Sequence, residues 1–117
     1  MDTDIEIHQK GWGHEKWIVN NELYCGKLLI FNKGKRCSFH YHKLKHETFY
    51  LKSGLLQLIY SNYDDTILSN KKTLRPGDKF EIPPLTRHQM IALEDSELIE
   101  FSTQHFEEDS YRIIKGD

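Results

Sequence analysis

Residues that bind divalent metals fall close together between two glycines. Gly34 to Gly54 reads GKRCSFHYHKLKHETFYLKSG and contains His40, His42 and Glu47. Imidazole nitrogen and carboxylate oxygen suit borderline and hard divalent ions. His40 and His42 are two apart, so on a β-strand they share one face. A second punctuated stretch, Gly77 to His88 (GDKFEIPPLTRH), brings in a further histidine just after a double proline. Three imidazoles and a carboxylate leave positions open on an octahedral ion for water or substrate. His40, His42, Glu47 and His88 are therefore the expected ligands of one divalent metal: Zn, Mn, Fe, Ni or Co.

Four ligands spread over 49 positions must be brought together by the fold, and the sequence reads as short strands. Tyr24 to Asn32, Arg36 to His42, Glu47 to Lys52 and Leu55 to Tyr60 are rich in β-branched and aromatic residues or alternate in polarity. Lys71 to Leu74, Lys79 to Ile82, His88 to Leu93 and Glu97 to Thr103 continue the pattern. Between them stand turn signals such as Lys33-Gly34, Ser53-Gly54 and Pro76-Gly77-Asp78, where proline presets φ and glycine supplies positive φ. No segment carries a helical period. Short strands broken by turns every ~8–12 residues predict an all-β sandwich or barrel. Before the first strand, GWGHEKW at residues 11–17 has glycines around Trp12 and reads as an irregular segment packed on the barrel. Residues 104–117 are charged, with a last apolar cluster at Tyr111, Ile113 and Ile114.

The chain has 117 residues, enough for one real core. The expected organisation is a single domain, with a packing segment at 1–21, the barrel at 22–103 and a C-terminal segment at 104–117. Net charge is −2, which gives no general field for nucleic acid. No apolar run is long enough to span a membrane, and the acidic start MDTDIEIHQK does not read as a secretory signal. With two cysteines only, Cys25 and Cys37, buried reduced thiols and a cytoplasmic setting are expected.

The two punctuated stretches resemble the paired motifs of the cupins. Gly34, His40, His42, Glu47 and Gly54 meet the pattern G-x5-H-x-H-x4-E-x6-G in full. Gly77, Pro83 and His88 meet G-x5-P-x-G-x2-H-x3-N, with Leu85 where glycine is usual and Ala92 where asparagine is usual. This resemblance implies a cupin-type double-stranded β-helix, or jelly roll, and the same four metal ligands. A narrower likeness is to the cupin domain of bifunctional mannose-6-phosphate isomerases. It rests on Trp12-Gly13, the strand lysine Lys27, Lys45 before the metal glutamate, and the closing EDSYR at 108–112. Where that family usually has glutamine, this chain has His40. Many cupins pair, so the resemblance also implies a homodimer.

Around the ligands, two residues are candidates for moving a proton. Lys27 interrupts an apolar strand, either as an edge lysine reaching water or as a cation inside the barrel. Glu100, between apolar neighbours in LIEFST, is expected to face solvent on an alternating strand; in the opposite register it becomes a base candidate. Lys43, Lys45, His46 and Arg87 would form a basic rim suited to an anionic ligand, with Lys45 and Arg87 as substrate contacts. Phe49, Leu51 and Met90 share parity with Glu47 and His88 and are expected to line the pocket, with plain core the favoured reading for Leu51 and Met90.

Three functions fit. One is a metal-dependent isomerase or epimerase of a sugar phosphate or sugar nucleotide. The second is a metal-dependent dioxygenase, and the third a sugar-binding module without chemistry. The expected partner is a small molecule, a sugar derivative in the first and third readings, and neither nucleic acid nor a membrane is expected.

Overall fold

The computed structural model describes residues 1–117 as eleven antiparallel strands in two sheets, joined by turns and two short 3-10 segments. The strands are β1 (Glu6–Lys10), β2 (Gly13–Asn20), β3 (Cys25–Phe31), β4 (Phe39–Tyr41), β5 (Glu47–Ser53) and β6 (Leu56–Ser61). They continue as β7 (Asn70–Leu74), β8 (Lys79–Ile82), β9 (Arg87–Ala92), β10 (Ser96–Ser102) and β11 (Tyr111–Ile114). The larger sheet runs β1-β2-β3-β10-β5-β8 and the smaller β11-β4-β9-β6-β7. The all-β reading of the sequence holds. No helix is long and apolar enough to cross a membrane.

Two segments differ from their sequence reading. The stretch around Trp12 is not irregular: β1 and β2 form a hairpin, and β2 pairs along β3 from Gly13↔Phe31 to Asn20↔Cys25. The two glycines serve that hairpin. Gly13 holds φ +147 with the Ile30 carbonyl where a Cβ would stand, so a side chain there would prevent the pairing. The C-terminal cluster is likewise a strand, β11, paired with β4 through Tyr111↔Tyr41 and Arg112↔His40.

Alternation sends one face of each strand inward, and along that face the polarity changes. At one end of the larger sheet the cross-strand row is Leu29–Leu98–Leu51. In the smaller sheet, the matching pairs are Met90–Leu58 and Ala92–Leu56. These residues belong to a buried cluster of 13 that also contains Trp12, Phe31, Phe49, Leu74 and Ile82. One step along the strands the row becomes Lys27–Glu100–Phe49, and His40 faces His88 across β4 and β9. The barrel interior thus has an apolar floor and a polar chamber built on the same inward parity. Cys25 and Cys37 are buried and free, as expected. Burial pushes the Cys37 thiol up to about 12.

Candidate metal centre and its cavity

The polar chamber is a cavity of about 290 Å³. At its inner wall the ligand atoms of His40, His42 and His88 lie within 4.8 Å of one another. Their elements explain the convergence. His40 and His42 share a face at and just beyond β4, and β4 meets β9 at the single pair His40↔His88. Glu47 opens β5 in the facing sheet. Its Oε1 is 3.7 Å from His42 Nε2 and its Oε2 is 3.3 Å from His88 Nε2.

Each of the three imidazoles is set in the same tautomer by a backbone carbonyl. Nδ1 of His40 lies 2.9 Å from the Ser38 oxygen, Nδ1 of His42 3.0 Å from the Asp109 oxygen, and Nδ1 of His88 3.0 Å from the Thr86 oxygen. A carbonyl only accepts, so Nδ1 carries the proton and donates. Each Nε2 is left with its lone pair turned to the chamber, the arrangement that orients metal-ligating histidines. Two atoms there have no hydrogen-bonding partner although fully buried: His88 Nε2 and Glu47 Oε2. A lone pair and a carboxylate oxygen that face each other at 3.3 Å repel unless a cation lies against both. The donor set therefore fits a divalent ion.

The electrostatics agree. Burial, with His88 and His42 nearby, holds His40 well below the usual histidine range. Burial also lowers His42. Burial alone would raise the Glu47 carboxyl, yet it is held well below the carboxylate range, with the Lys45 ammonium 3.2 Å from Oε1. Neutral imidazoles and an ionised carboxylate are the forms that bind metal.

The remaining candidate residues divide. Lys27 is inside, 3% exposed, with Nζ 4.1 Å above the Trp17 ring and 3.7 Å from Glu15 Oε1. It makes no hydrogen bond, so its N–H groups are free to meet a ligand in the cavity. Glu100 does not face solvent, contrary to the expectation. It is 4% exposed and lies directly across from Lys27, while Phe101 takes the outer face. Burial and the Glu47 charge raise its carboxyl. Its Oε2 meets Lys45 Nζ at 2.6 Å and accepts from the Ser102 hydroxyl at 3.1 Å, while Oε1 has no such contact. Phe49 and Met90 both line the cavity and join the apolar cluster.

The expected basic rim is not formed by the residues that suggested it. Lys45 is 2% exposed and lies inside the chamber rather than on a solvated loop. Arg87 lies outside the cavity: its guanidinium covers Tyr41 at 4.0 Å and pairs with Asp64 at 2.8 Å. Lys43 covers the ring of Tyr111 and His46 pairs with Glu81, both exposed. Lys10, Arg112 and Lys115 also line the cavity without forming ion pairs, and Glu107 and Asp117 line it too.

Two residues of the site carried no sequence signal of their own. His105 lines the cavity, and its Nδ1 lies 3.0 Å from Lys45 Nζ. That contact makes Nδ1 an acceptor and sets the tautomer opposite to that of His40, His42 and His88. Burial and the Lys45 charge push His105 down to about 3. Asp109 is buried, and its carboxylate accepts from the amides of Lys43, Leu44 and Lys45 while its carbonyl orients His42. The only hint of it in the sequence was its place inside EDSYR.

Solved structures show the same architecture. KdgF from Halomonas sp. matches with TM-score 0.74 and 22% identity, over 90% of this chain and 89% of that one. The capsular polysaccharide assembling protein CapF from Staphylococcus aureus matches with TM-score 0.80 and 17% identity, over 94% of this chain and 32% of that one. A Bacillus subtilis oxalate decarboxylase variant matches with TM-score 0.81 and 18% identity, over 94% and 30%. The fold is that of the cupins. No family model matches the chain. A curated relative, the D-lyxose ketol-isomerase of Thermofilum sp. (strain ex4484_79), is 32% identical over 77% of this chain. The match spans 62% of that relative's length.

Proposed function

We propose that this cupin is a metal-dependent aldose–ketose isomerase acting on a small sugar derivative, with His40, His42, His88 and Glu47 as the metal ligands. The observation that carries the reading is the chamber itself. Three tautomer-locked imidazoles and an orphaned carboxylate oxygen share one cavity with an unspent lysine and a second carboxylate. The ketol-isomerase relative supports the reaction class. It also shifts the narrower likeness from mannose-6-phosphate isomerases towards ketol-isomerases more broadly.

A divalent ion in this site would supply electrophilic pull on the carbonyl and adjacent hydroxyl oxygens of an open-chain sugar. The other roles fall to the chain. Glu100 offers Oε1 to the cavity as the base that takes the proton from the carbon beside the carbonyl and returns it to the neighbouring carbon. Burial raises this carboxyl towards neutrality, where such a base works best. Lys27 Nζ, across the β3–β10 pair from Glu100, holds a sugar oxygen and moves the hydroxyl proton between the two oxygens. Phe49 and Met90 close the chamber against water. The unpaired Lys10, Arg112 and Lys115 along the cavity favour a substrate with an anionic substituent, such as a sugar phosphate or sugar nucleotide. The larger sheet exposes Ile7, Ile18, Tyr50 and Phe101, which supports pairing as a homodimer.

The test is turnover. Protein loaded in turn with Mn, Fe, Co, Ni and Zn is incubated with aldoses and ketoses, with and without phosphate. Interconversion of at least one aldose–ketose pair is expected. No turnover with any metal would overturn the reading, and oxygen uptake by the iron form would replace it with a dioxygenase.

A further inference from the structure

We infer that Lys45 is a positioning residue that holds Glu47 to the metal through a single oxygen. The inference rests on the metal-site part of the proposed function. Lys45 lies two residues before Glu47, is 2% exposed, and its ammonium has three acceptors around it. These are Glu47 Oε1 at 3.2 Å, Glu100 Oε2 at 2.6 Å and His105 Nδ1 at 3.0 Å. An ammonium has three N–H groups, so one acceptor stands against each and none remains for a substrate. This removes Lys45 from the substrate contacts that the sequence suggested.

The lysine cannot swing away. Its own amide donates to Asp109 Oδ2 at 3.1 Å, and the amides of Lys43 and Leu44 donate to the same carboxylate. The next residue is fixed too, with the His46 amide on Thr103 Oγ1 at 3.0 Å. Four amide contacts therefore clamp the loop that carries the ammonium over Glu47. Oε1 is engaged by Lys45. Oε2, with no partner, faces His88 Nε2.

The consequence is a count of free coordination positions. Three nitrogens and one oxygen on a six-coordinate ion leave about two positions, the number that adjacent carbonyl and hydroxyl oxygens need. A Glu47 released from Lys45 can give both oxygens and close one of them. Lys45 thus keeps the site open without touching the substrate.

The direct test uses the wild-type chain loaded with Mn and no sugar. A crystal structure should show Glu47 Oε2 on the metal and Oε1 still on Lys45; both oxygens on the metal would overturn the inference. In solution, the water ligands of bound Mn are counted by electron–nuclear double resonance in labelled water. About two are expected in the wild type and about one in Lys45→Met, with metal affinity undiminished. Because Lys45→Met leaves two carboxylates buried without their cation, the double variant Lys45→Met/Glu100→Gln provides a folded alternative with the same expectation. An unchanged water count in either variant contradicts the inference. Failure of the wild type to bind any divalent metal would overturn both this inference and the metal-site reading. Failure to isomerise sugars leaves the crystallographic and water-count tests standing, because neither uses a substrate.

Discussion

The floor and the chamber of this barrel are made by the same strands, a single step apart. Leu29, Leu98 and Leu51 form one cross-strand row, and Lys27, Glu100 and Phe49 form the next. The floor residues are 4% exposed or less and pack as an ordinary core. The chamber residues are as deeply buried, yet two of those three are charged. Burying a charge costs several kcal/mol unless it is paired, so the floor must stabilise what the chamber loses. The difference teaches which half a sequence change will hit. Substitutions in the floor should act on stability alone, and substitutions in the chamber on chemistry.

The largest expected effect tests the chamber. Lys27→Met should lower kcat by about 10²–10⁴-fold, the usual contribution of a proton-transfer group. Its thermal stability should fall modestly, since the ammonium is also the ion-pair partner of Glu15 and its loss leaves that carboxylate uncompensated. Steady-state kinetics beside a melting curve separates the two, and an unchanged kcat would remove Lys27 from the mechanism. Next, His88→Ala should weaken metal binding by at least ~100-fold, more than loss of a supporting hydrogen bond does. Metal titration by calorimetry would read it, with strand content unchanged by circular dichroism.

In the floor, Leu98→Ala should cost about 2–5 kcal/mol in denaturant unfolding, and the variant should still bind one metal ion. Loss of metal at the same time would show that the two halves are not separable. A pH titration of the metal-free protein addresses the chamber again. Burial holds His40, His42 and His105 below the ordinary value of 6.5, with His105 at about 3. The unfolded chain therefore binds more protons than the folded one below about pH 6.5. The stability these groups contribute is present above that pH and is lost as pH falls towards 3. Denaturant midpoints that stay flat over this range would contradict the placement of these histidines.

The smallest effect lies outside both halves. Leu85 stands where the cupin pattern has glycine, and the reason for the pattern is visible: Leu85 holds φ +72 and its amide donates to the His42 carbonyl at 2.7 Å. A side chain in that region costs ~1–2 kcal/mol, partly offset by the greater freedom that glycine loses on folding. Leu85→Gly should raise stability by about 1 kcal/mol with metal affinity intact.

The two halves also differ in how legible they were. The floor follows from alternation, and so does the convergence of the candidate ligands: His40 and His42 are two apart on one face at and just beyond β4, Glu47 opens β5, and His88 stands near the start of β9 after a double proline. Glu100 was misplaced because its neighbours Ile99 and Phe101 are also apolar, which leaves no polar face to set the register. Phe101 is in fact 57% exposed. Lys45 was placed in a basic rim because a run of charges carries no period to set which way each side chain turns. Only the Asp109 clamp turns it inward, from 64 positions away in the chain. The β1–β2 hairpin was lost to the glycines around Trp12, which read as disorder of pattern and are a turn and a close approach.

The central claim is that the histidine wall and the Lys27–Glu100 pair together move a proton on a sugar carbon. Its most direct measurement is nuclear magnetic resonance of D-lyxose and other aldoses incubated in heavy water with the metal-loaded protein. Deuterium should appear on the carbon next to the carbonyl of at least one sugar, and chelation of the metal should stop it. A protein that holds its metal and exchanges no such proton with any aldose would contradict the account.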